Sequence, residues 1–416
     1  MTVSTPYAGG VEAAASDLLP GQRAHDAAMM RLALAAAESA RGATSPNPLV
    51  GALIVDESAT EPRVLATGFH AAVGRAHAEV DALRRLSEAG GDPRGKTLYV
   101  TLEPCNHVGR TGKCTDAILA AGIARVVVGI GDPNPRVAGG GADRLRQAGL
   151  SVLVGIEEAA CRWQNRGYLR WLRCGRPQLV MKAAISLDGR LAPRAQPGAS
   201  IGPRWLTGQL ARHKAHLLRA GCDAILVGAQ TVLADDPALT VRLSDAPRSK
   251  QPLRVIFDGS LRTPTTAKVA SPGSLILTSD ASLRQKPEHA SALRDQGVEL
   301  AAVPSPSSID VASRRGSPTD IDLHQALRLL GERNILFALC EGGGILHGAF
   351  LEAGLYDEVA LFVAPLLLGD EGVPLLRHVS VPDVSASSWL ASPSVTPLGS
   401  DLLIEGELRR GGFSVK

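Results

Sequence analysis

Residues 97–114 read TLYVTLEPCNHVGRTGKC. The span from Thr97 to Leu102 is rich in β-branched and apolar residues and predicts a strand; Pro104-Cys105 follows it at once, and Cys114 stands just ahead of a helix predicted from about Thr115 to Ala121. Upstream, His77-Ala78-Glu79 opens another predicted helix, from about Ala76 to Ala89. One imidazole and two thiolates are a donor set that zinc favours, and a catalytic zinc keeps one of its four positions open. Glu79 lies two residues from His77, close to such a metal without ligating it, where a carboxylate can carry protons.

A histidine-x-glutamate followed by Pro-Cys and a second cysteine is the pattern of zinc nucleobase deaminases, which normally place two residues between the cysteines. Here eight intervene. The long spacing leaves two readings, a lengthened ligand loop that also binds substrate or a coincidence. The strand-to-helix context, supplied twice, favours the first. A structural zinc is the competitor; it would use four protein ligands, with His107 as the fourth, and would need no Glu79. A substrate contact is the preferred role for His107.

Around this motif the pattern alternates. A helix is predicted from His25 to Arg41, then strands at Leu49–Val55, Thr97–Leu102, Arg125–Ile130 and Ser151–Val154, with a further helix near Ala142–Ala148. Residues 1–24, rich in Ala, Gly, Ser and Pro, read as a flexible leader, and residues 25–174 as one α/β deaminase domain. A second α/β series begins after Arg173–Pro177 and occupies 175–416. It has a helix near Gln209–Arg219 and strands at Leu179–Ile185, Ala224–Val227, Leu253–Phe257, Leu275–Thr278, Ile335–Leu339 and Val359–Val363. The Ser-, Pro- and Ala-rich stretch Asp280–Thr319 reads as a surface excursion. Gly342-Gly343-Gly344, between a strand and a helix, could cradle a dinucleotide pyrophosphate or form a plain tight turn.

Composition narrows the function. Net charge is only +3 and aromatics are 3% of the chain, so a basic stripe with interleaved stacking aromatics is not expected, and with it nucleic-acid editing or binding. No apolar run reaches the ~18 residues of a membrane span, no signal peptide is recognised, and six scattered cysteines are no disulfide framework. A cytoplasmic location is expected.

The motif extends into Pro46-Asn47-Pro48-Leu49-Val50-Gly51, Thr101-Leu102-Glu103-Pro104-Cys105, Gly109-Arg110-Thr111 and Asp132-Pro133-Asn134-Pro135 in the first half. The second half contributes Ser186-Leu187-Asp188-Gly189-Arg190, Trp205-Leu206-Thr207, Thr231 to Pro237, Leu239 to Arg242 and Glu341-Gly342-Gly343. On these residues the chain resembles, from about His25 onward, the bifunctional deaminase/reductase of riboflavin biosynthesis; the long cysteine loop belongs to that pattern. The resemblance implies a cytidine-deaminase-like three-layer α/β/α domain followed by a dihydrofolate-reductase-like α/β domain, with Zn2+ and NADPH as cofactors. It implies hydrolytic deamination of a phosphoribosylaminopyrimidine and then reduction of its ribosyl group.

Carried over residue by residue, the resemblance implies that His77, Cys105 and Cys114 hold the metal and Glu79 is catalytic. Asn47, His70, His107, Arg110 and Thr111 would contact the deaminase substrate, the last three around its phosphate. NADPH would touch Ala184, Trp205, Thr231, Asp235, Gly259 and the turn Gly343, Gly344, Ile345, Leu346, His347, Gly348 and Ala349. Lys182, Arg219, Leu239, Arg242 and Glu341 would face the reductase substrate, the arginines near its phosphate. Lys182 could equally be a solvated strand lysine, and Asp188 reads as fixing its own turn. Pro203 stands where the family has a small polar substrate contact, which Ser200 could replace, or the second half could be a noncatalytic reductase-like scaffold. Expected partners are the small-molecule substrate and further copies of the chain in a homo-oligomer, with no nucleic acid and no membrane.

Overall fold

The computed structural model describes residues 19–58, 61–107, 112–134, 140–194, 205–243, 251–305 and 321–411. The chain divides into two compact units, Met1–Leu172 and Arg173–Lys416.

In the first unit the elements are α1 (Pro20–Glu38), β1 (Gly51–Asp56), β2 (Arg63–Phe69), α2 (Ala78–Glu88), β3 (Thr97–Leu102), α3 (Cys114–Ala120), β4 (Arg125–Ile130), α4 (Gly140–Gln147), β5 (Ser151–Val154), α5 (Glu158–Gln164) and α6 (Arg166–Cys174). The sheet order is β2-β1-β3-β4-β5, with β1 antiparallel to both neighbours and β3, β4 and β5 parallel. Strands buried on both faces read as nearly continuous apolar runs, which is why β1, β3 and β4 are legible in the sequence. One face packs Ile54, Leu98, Val100 and Val126 against Ala82, Leu86 and Ile118. The other packs Leu53, Val55, Tyr99 and Val127 against Met30 and Ala33 of α1 and Cys161 of α5, completing three layers.

α1 begins at Pro20, inside the stretch expected to be leader. Proline at the first helical turn forfeits an N–H that has no partner there in any case. Its buried Asp26 accepts hydrogen bonds from Arg125 Nη2 at 2.6 Å and the Tyr99 hydroxyl at 2.6 Å, tying the helix to the sheet. The sequence reading also lacked β2, α5 and α6. β2 lies along an edge with several exposed positions, and α5 and α6 are short, seven and nine residues, so each gives only a brief pattern.

The second unit contains β6 (Gln178–Ser186), β7 (Arg190–Ala192), α7 (Gln209–Ala220), β8 (Ala224–Gly228), α8 (Ala229–Asp235), β9 (Leu253–Phe257), β10 (Ser274–Thr278), α9 (Asp280–Gln285), α10 (Pro287–Asp295), β11 (Glu299–Ala302), α11 (Leu323–Glu332), β12 (Phe337–Cys340), α12 (Gly344–Glu352), β13 (Glu358–Ala364), β14 (Val373–Pro374), β15 (Ser388–Leu398) and β16 (Asp401–Arg410). Nine strands form one sheet in the order β11-β10-β9-β8-β12-β6-β13-β16-β15. It is parallel from β11 to β13 and closed by the antiparallel hairpin β15–β16. The stretch expected as an excursion from Asp280 is in fact α9, α10 and the edge strand β11. Ser279 caps α9 by accepting from Ser282 N, and Pro287 starts α10, so the Ser and Pro that suggested a loop are helix-start residues. Residues 306–319 of that expected excursion lie outside the described residues.

Candidate active sites

In the first unit, His77 is the residue before the first turn of α2, Glu79 lies in that turn, and Cys114 is the first residue of α3. Cys105 follows β3. The chain between the cysteines leaves and returns: Cys114 N–H donates to Cys105 Sγ at 3.4 Å, Thr115 N–H to Cys105 O at 3.3 Å, and Thr115 Oγ1 to Asn106 Oδ1 at 3.0 Å. The eight intervening residues therefore do not separate the two sulfurs. Glu103 is buried and accepts N–H bonds from Asp132, Gly141 and Ala142, so it pins the cysteine loop to the start of α4 and is not a ligand. Gly141 permits that approach, since a Cβ there would sit 1.9 Å from Pro104 O.

His77 Nδ1 stands 3.1 Å from Cys114 Sγ and 3.5 Å from Cys105 Sγ, and the three donor atoms lie within 4.8 Å of one another. Three ligands of a tetrahedral zinc, each bound at about 2.0–2.3 Å, stand roughly 3.5–3.8 Å apart, so the nitrogen–sulfur–sulfur set fits that ion. Among the described residues no fourth His, Cys, Asp or Glu joins the group; His107 is exposed and outside it. The neighbouring Cys114 and then His77 lower the Cys105 thiol well below its ordinary value, which favours the thiolate that zinc takes as a ligand. Burial raises the Glu79 carboxyl above its ordinary range against the pull of His77.

His77, Glu79 and Cys105 open onto a pocket of about 270 Å3 lined also by Asn47, His70, His107, Asp132, Asn134, Tyr168 and Trp171. His70 Nδ1 donates to Ala76 O at 3.0 Å, because a carbonyl can only accept. Its Nε2 therefore accepts from Asn47 Nδ2 at 3.0 Å, and the two expected substrate residues form one fixed pair. Arg110 and Thr111 lie outside the described residues. Asp132 and Tyr168 were missed as site residues: the Tyr168 hydroxyl donates to Asp132 Oδ1 at 3.2 Å, and burial raises the Asp132 carboxyl. The signal for Asp132 was its place just beyond a parallel strand's C-terminal end, where α/β sheets gather ligands. Tyr168 and Trp171 share one face of α6, a helix the sequence reading lacked.

In the second unit, Glu341 follows β12 and accepts from Arg219 Nε at 2.6 Å, Arg219 Nη2 at 2.9 Å and Lys182 Nζ at 3.2 Å. Burial alone would raise the Glu341 carboxyl, but Arg219 and Lys182 outweigh it and hold it well below the usual carboxylate range. Lys182 is thus a partly buried member of an ion triad and not a solvated strand lysine. Leu239 has φ +51° and a buried side chain, which leaves only its backbone to face a substrate. Asp188 accepts from Ser186 Oγ and from the N–H groups of Leu368 and Gly369, fixing its turn as expected.

The residues expected at NADPH are placed unevenly. Trp205 and Asp235 are exposed, Ala184 is half-buried, and Thr231 Oγ1 accepts the Gly343 N–H at 2.9 Å. Gly259 is buried, its carbonyl accepting from Thr278, Ser279 and Ser282. Leu346, His347 and Ala349 are buried, and Cβ atoms at Gly344 and Gly348 would meet Pro374 O at 2.4 Å and Arg377 O at 2.0 Å. Those two glycines allow close backbone packing against residues 374–377, while Gly343 and Ile345 of the same turn are half-buried. Pro203 and Ser200 lie outside the described residues.

The two units define a zinc-dependent deaminase and a reductase carried on one chain. The family model of the cytidine and deoxycytidylate deaminase zinc-binding region matches residues 23–130, and that of the RibD C-terminal domain matches 177–401. The chain is 39% identical over 387 residues to the riboflavin biosynthesis protein RibD of Escherichia coli K12, covering 90% of this chain and 97% of that one. It is 37% identical over 378 residues to RibD of Aquifex aeolicus, covering 90% and 96%. The solved Acinetobacter baumannii RibD superposes with TM-score 0.78 at 33% identity, covering 93% of this chain and 100% of that chain. A diaminohydroxyphosphoribosylaminopyrimidine deaminase/5-amino-6-(5-phosphoribosylamino)uracil reductase from Thermotoga maritima gives 0.76 at 32%, covering 94% and 99%.

The chain belongs to the RibD family of riboflavin biosynthesis. It is a bifunctional enzyme, a cytidine-deaminase-like unit using zinc followed by a dihydrofolate-reductase-like unit using NADPH. Its substrate is a small molecule, and among the described residues no helix is long and apolar enough to cross a membrane.

Proposed function

We propose that the first unit hydrolyses the exocyclic amine of 2,5-diamino-6-(5-phosphoribosylamino)pyrimidin-4(3H)-one and that the second reduces the ribosyl group of the product to ribityl. The observation that carries this reading is the nitrogen–sulfur–sulfur cluster of His77, Cys105 and Cys114 beside the buried, non-ligating Glu79. Zinc held there would lower the pKa of water to near neutrality and so supply a nucleophile. Glu79, its carboxyl raised by burial, would carry one proton of the attacking water to the ring nitrogen and then the remaining hydroxyl proton to the departing amine, so water and the amine yield a carbonyl and ammonia. Asn47, fixed by His70, keeps Oδ1 as an acceptor for the pyrimidine edge, and His107, Arg110 and Thr111 take the phosphate.

In the second unit NADPH, when bound, would supply hydride to the ribose C1 carbon. Thr231, Trp205, Asp235, Ala184, Gly259 and the turn Gly343 to Ala349 would border its place. The Lys182–Glu341–Arg219 triad orients the opened sugar, and Arg219 and Arg242 bind its phosphate. Cytoplasmic residence, in keeping with six free cysteines, and a homo-oligomeric state belong to the same reading; light scattering tests the latter. The decisive experiment supplies the phosphoribosylaminopyrimidine and follows ammonia and NADPH absorbance separately. One ammonia followed by one NADPH per substrate is expected. Ammonia without NADPH loss would overturn the reductase half, and neither signal would overturn both.

A further inference from the structure

Helix α7 places His216 and Arg219 three residues apart, on one face. Arg219 is fixed by Glu341 and by donating from Nη1 to Thr240 O at 3.1 Å. The segment that follows is equally constrained: Gln251 bonds both the N–H and the carbonyl of Val241, at 2.7 and 3.1 Å, and Arg242 N–H donates to His216 Nδ1 at 3.3 Å. Around the imidazole stand Lys182 of β6, Arg219 of α7, Arg242 and Glu341 beyond β12. Three cations face a single carboxylate, so the cluster keeps an excess of two positive charges, the complement of a phosphate dianion.

The hydrogen bond also fixes the tautomer. A backbone N–H can only donate, so Nδ1 of His216 is unprotonated and the neutral ring carries its hydrogen on Nε2. Burial, then Arg219 and Arg242, push the His216 pKa down to about 4, so the ring stays neutral at ordinary pH and Nε2–H remains a donor. Among the described residues no acceptor is found for it. A half-buried donor without a protein acceptor, held at the rim of a group with surplus positive charge, is arranged for an anion.

We propose that His216 is a third arm of the reductase phosphate site, its Nε2–H donating to the substrate phosphate beside Arg219 and Arg242 while its Nδ1 holds the Arg242 backbone in place. This rests on reading the second unit as the reductase of a phosphoribosylated substrate. The ring thus couples the substrate's anion to the position of Arg242 without changing its own charge.

The test uses the full chain and ribose 5-phosphate as probe, titrated by calorimetry. His216→Asn keeps an acceptor near the Nδ1 position but cannot reach where Nε2 lies; His216→Gln keeps an amide donor near Nε2. A lost hydrogen bond to a charged group corresponds to roughly 10-fold to 100-fold in affinity. His216→Asn is expected to weaken ribose 5-phosphate by that factor, and His216→Gln to recover most of it. For the reductase substrate, the same factor should appear in KM with kcat nearly kept, and should vanish with the dephosphorylated substrate. Unchanged ribose 5-phosphate affinity in His216→Asn, or an equal loss with the dephosphorylated substrate, would show that the ring is only structural and would overturn the proposal. Should His216→Asn fail to fold, the imidazole 15N spectrum of the wild-type protein decides. The His216 Nε2 signal must shift on adding ribose 5-phosphate, and no shift overturns it. A wild-type protein that consumes no NADPH with its substrate would instead defeat the reductase reading and take this inference with it.

Discussion

Replacing Glu341 by glutamine keeps the shape of the side chain but removes the carboxylate shared by Arg219 and Lys182. Both cations are about as enclosed as their partner, with side chains 14% exposed against 9% for Glu341. Breaking a buried pair by removing one partner costs about 3–5 kcal/mol, because a charge is left buried without compensation. Since these groups retain some solvent access, the lower end, about 3 kcal/mol, is the better figure. For a unit of this size that corresponds to a fall of roughly 6–12 °C in unfolding midpoint. The assay is thermal unfolding of Glu341→Gln followed by circular dichroism, with and without ribose 5-phosphate. The anion should restore part of the lost midpoint by neutralising the two freed cations. The sign of the pH effect follows from the depressed carboxyl: its stabilising contribution is complete above the ordinary glutamate range and is lost only as pH falls below it. The wild-type advantage over Glu341→Gln should therefore persist through mildly acidic pH. A variant melting within about 2 °C of wild type would refute the idea that the triad is a buried, mutually dependent unit.

Glu79→Gln should retain a full complement of zinc by elemental analysis and release no measurable ammonia, since the side chain carries protons and is not a ligand; loss of zinc would contradict that division of roles. Gly348→Ala should lower the urea midpoint by about 1–3 kcal/mol of stability, because its methyl would sit 2.0 Å from Arg377 O; an unchanged midpoint would show that residues 374–377 yield easily. The fully buried His347, pushed down to about 3 by burial, makes the fold acid-sensitive. The unfolded chain takes up a proton near pH 6.5 and the native ring does not until about 3, so stability is full above 6.5 and falls steadily below it. At about 1.4 kcal/mol per pKa unit the loss by pH 5 is about 2 kcal/mol, and urea midpoints at pH 7 and pH 5 should differ by that amount. Equal midpoints would contradict the assignment.

The strands at the centres of both sheets were legible because burial on two faces makes them continuous apolar runs, as in Val126–Ile130 and Leu275–Thr278. The metal group was legible for a different reason: His77, Cys105 and Cys114 each sit where an element ends or begins, and residue type with strand-to-helix context sufficed to name them. The illegible parts are those with little length or burial to announce them. β2, β11 and the β15–β16 hairpin lie at or near sheet edges with exposed positions, while α5 and α6 span only seven and nine residues, so Tyr168 and Trp171 were not placed on a wall of the pocket. Ser279 and Pro287 misled because the same residues favour loops and begin helices. In the second unit, Gly344 and Gly348 also permit close packing of residues 374–377, which glycine in the sequence does not by itself reveal. His216 gave no sequence signal, since its meaning depends on Arg242 arriving from another segment.

The account stands most directly on the composition of the metal's inner shell. X-ray absorption at the zinc edge of the purified full-length protein should show one zinc per chain bound by two sulfurs at about 2.3 Å, one imidazole nitrogen at about 2.0 Å and one light atom from solvent. A second imidazole filling the fourth position, a single sulfur, or a protein that holds no zinc at all would contradict it.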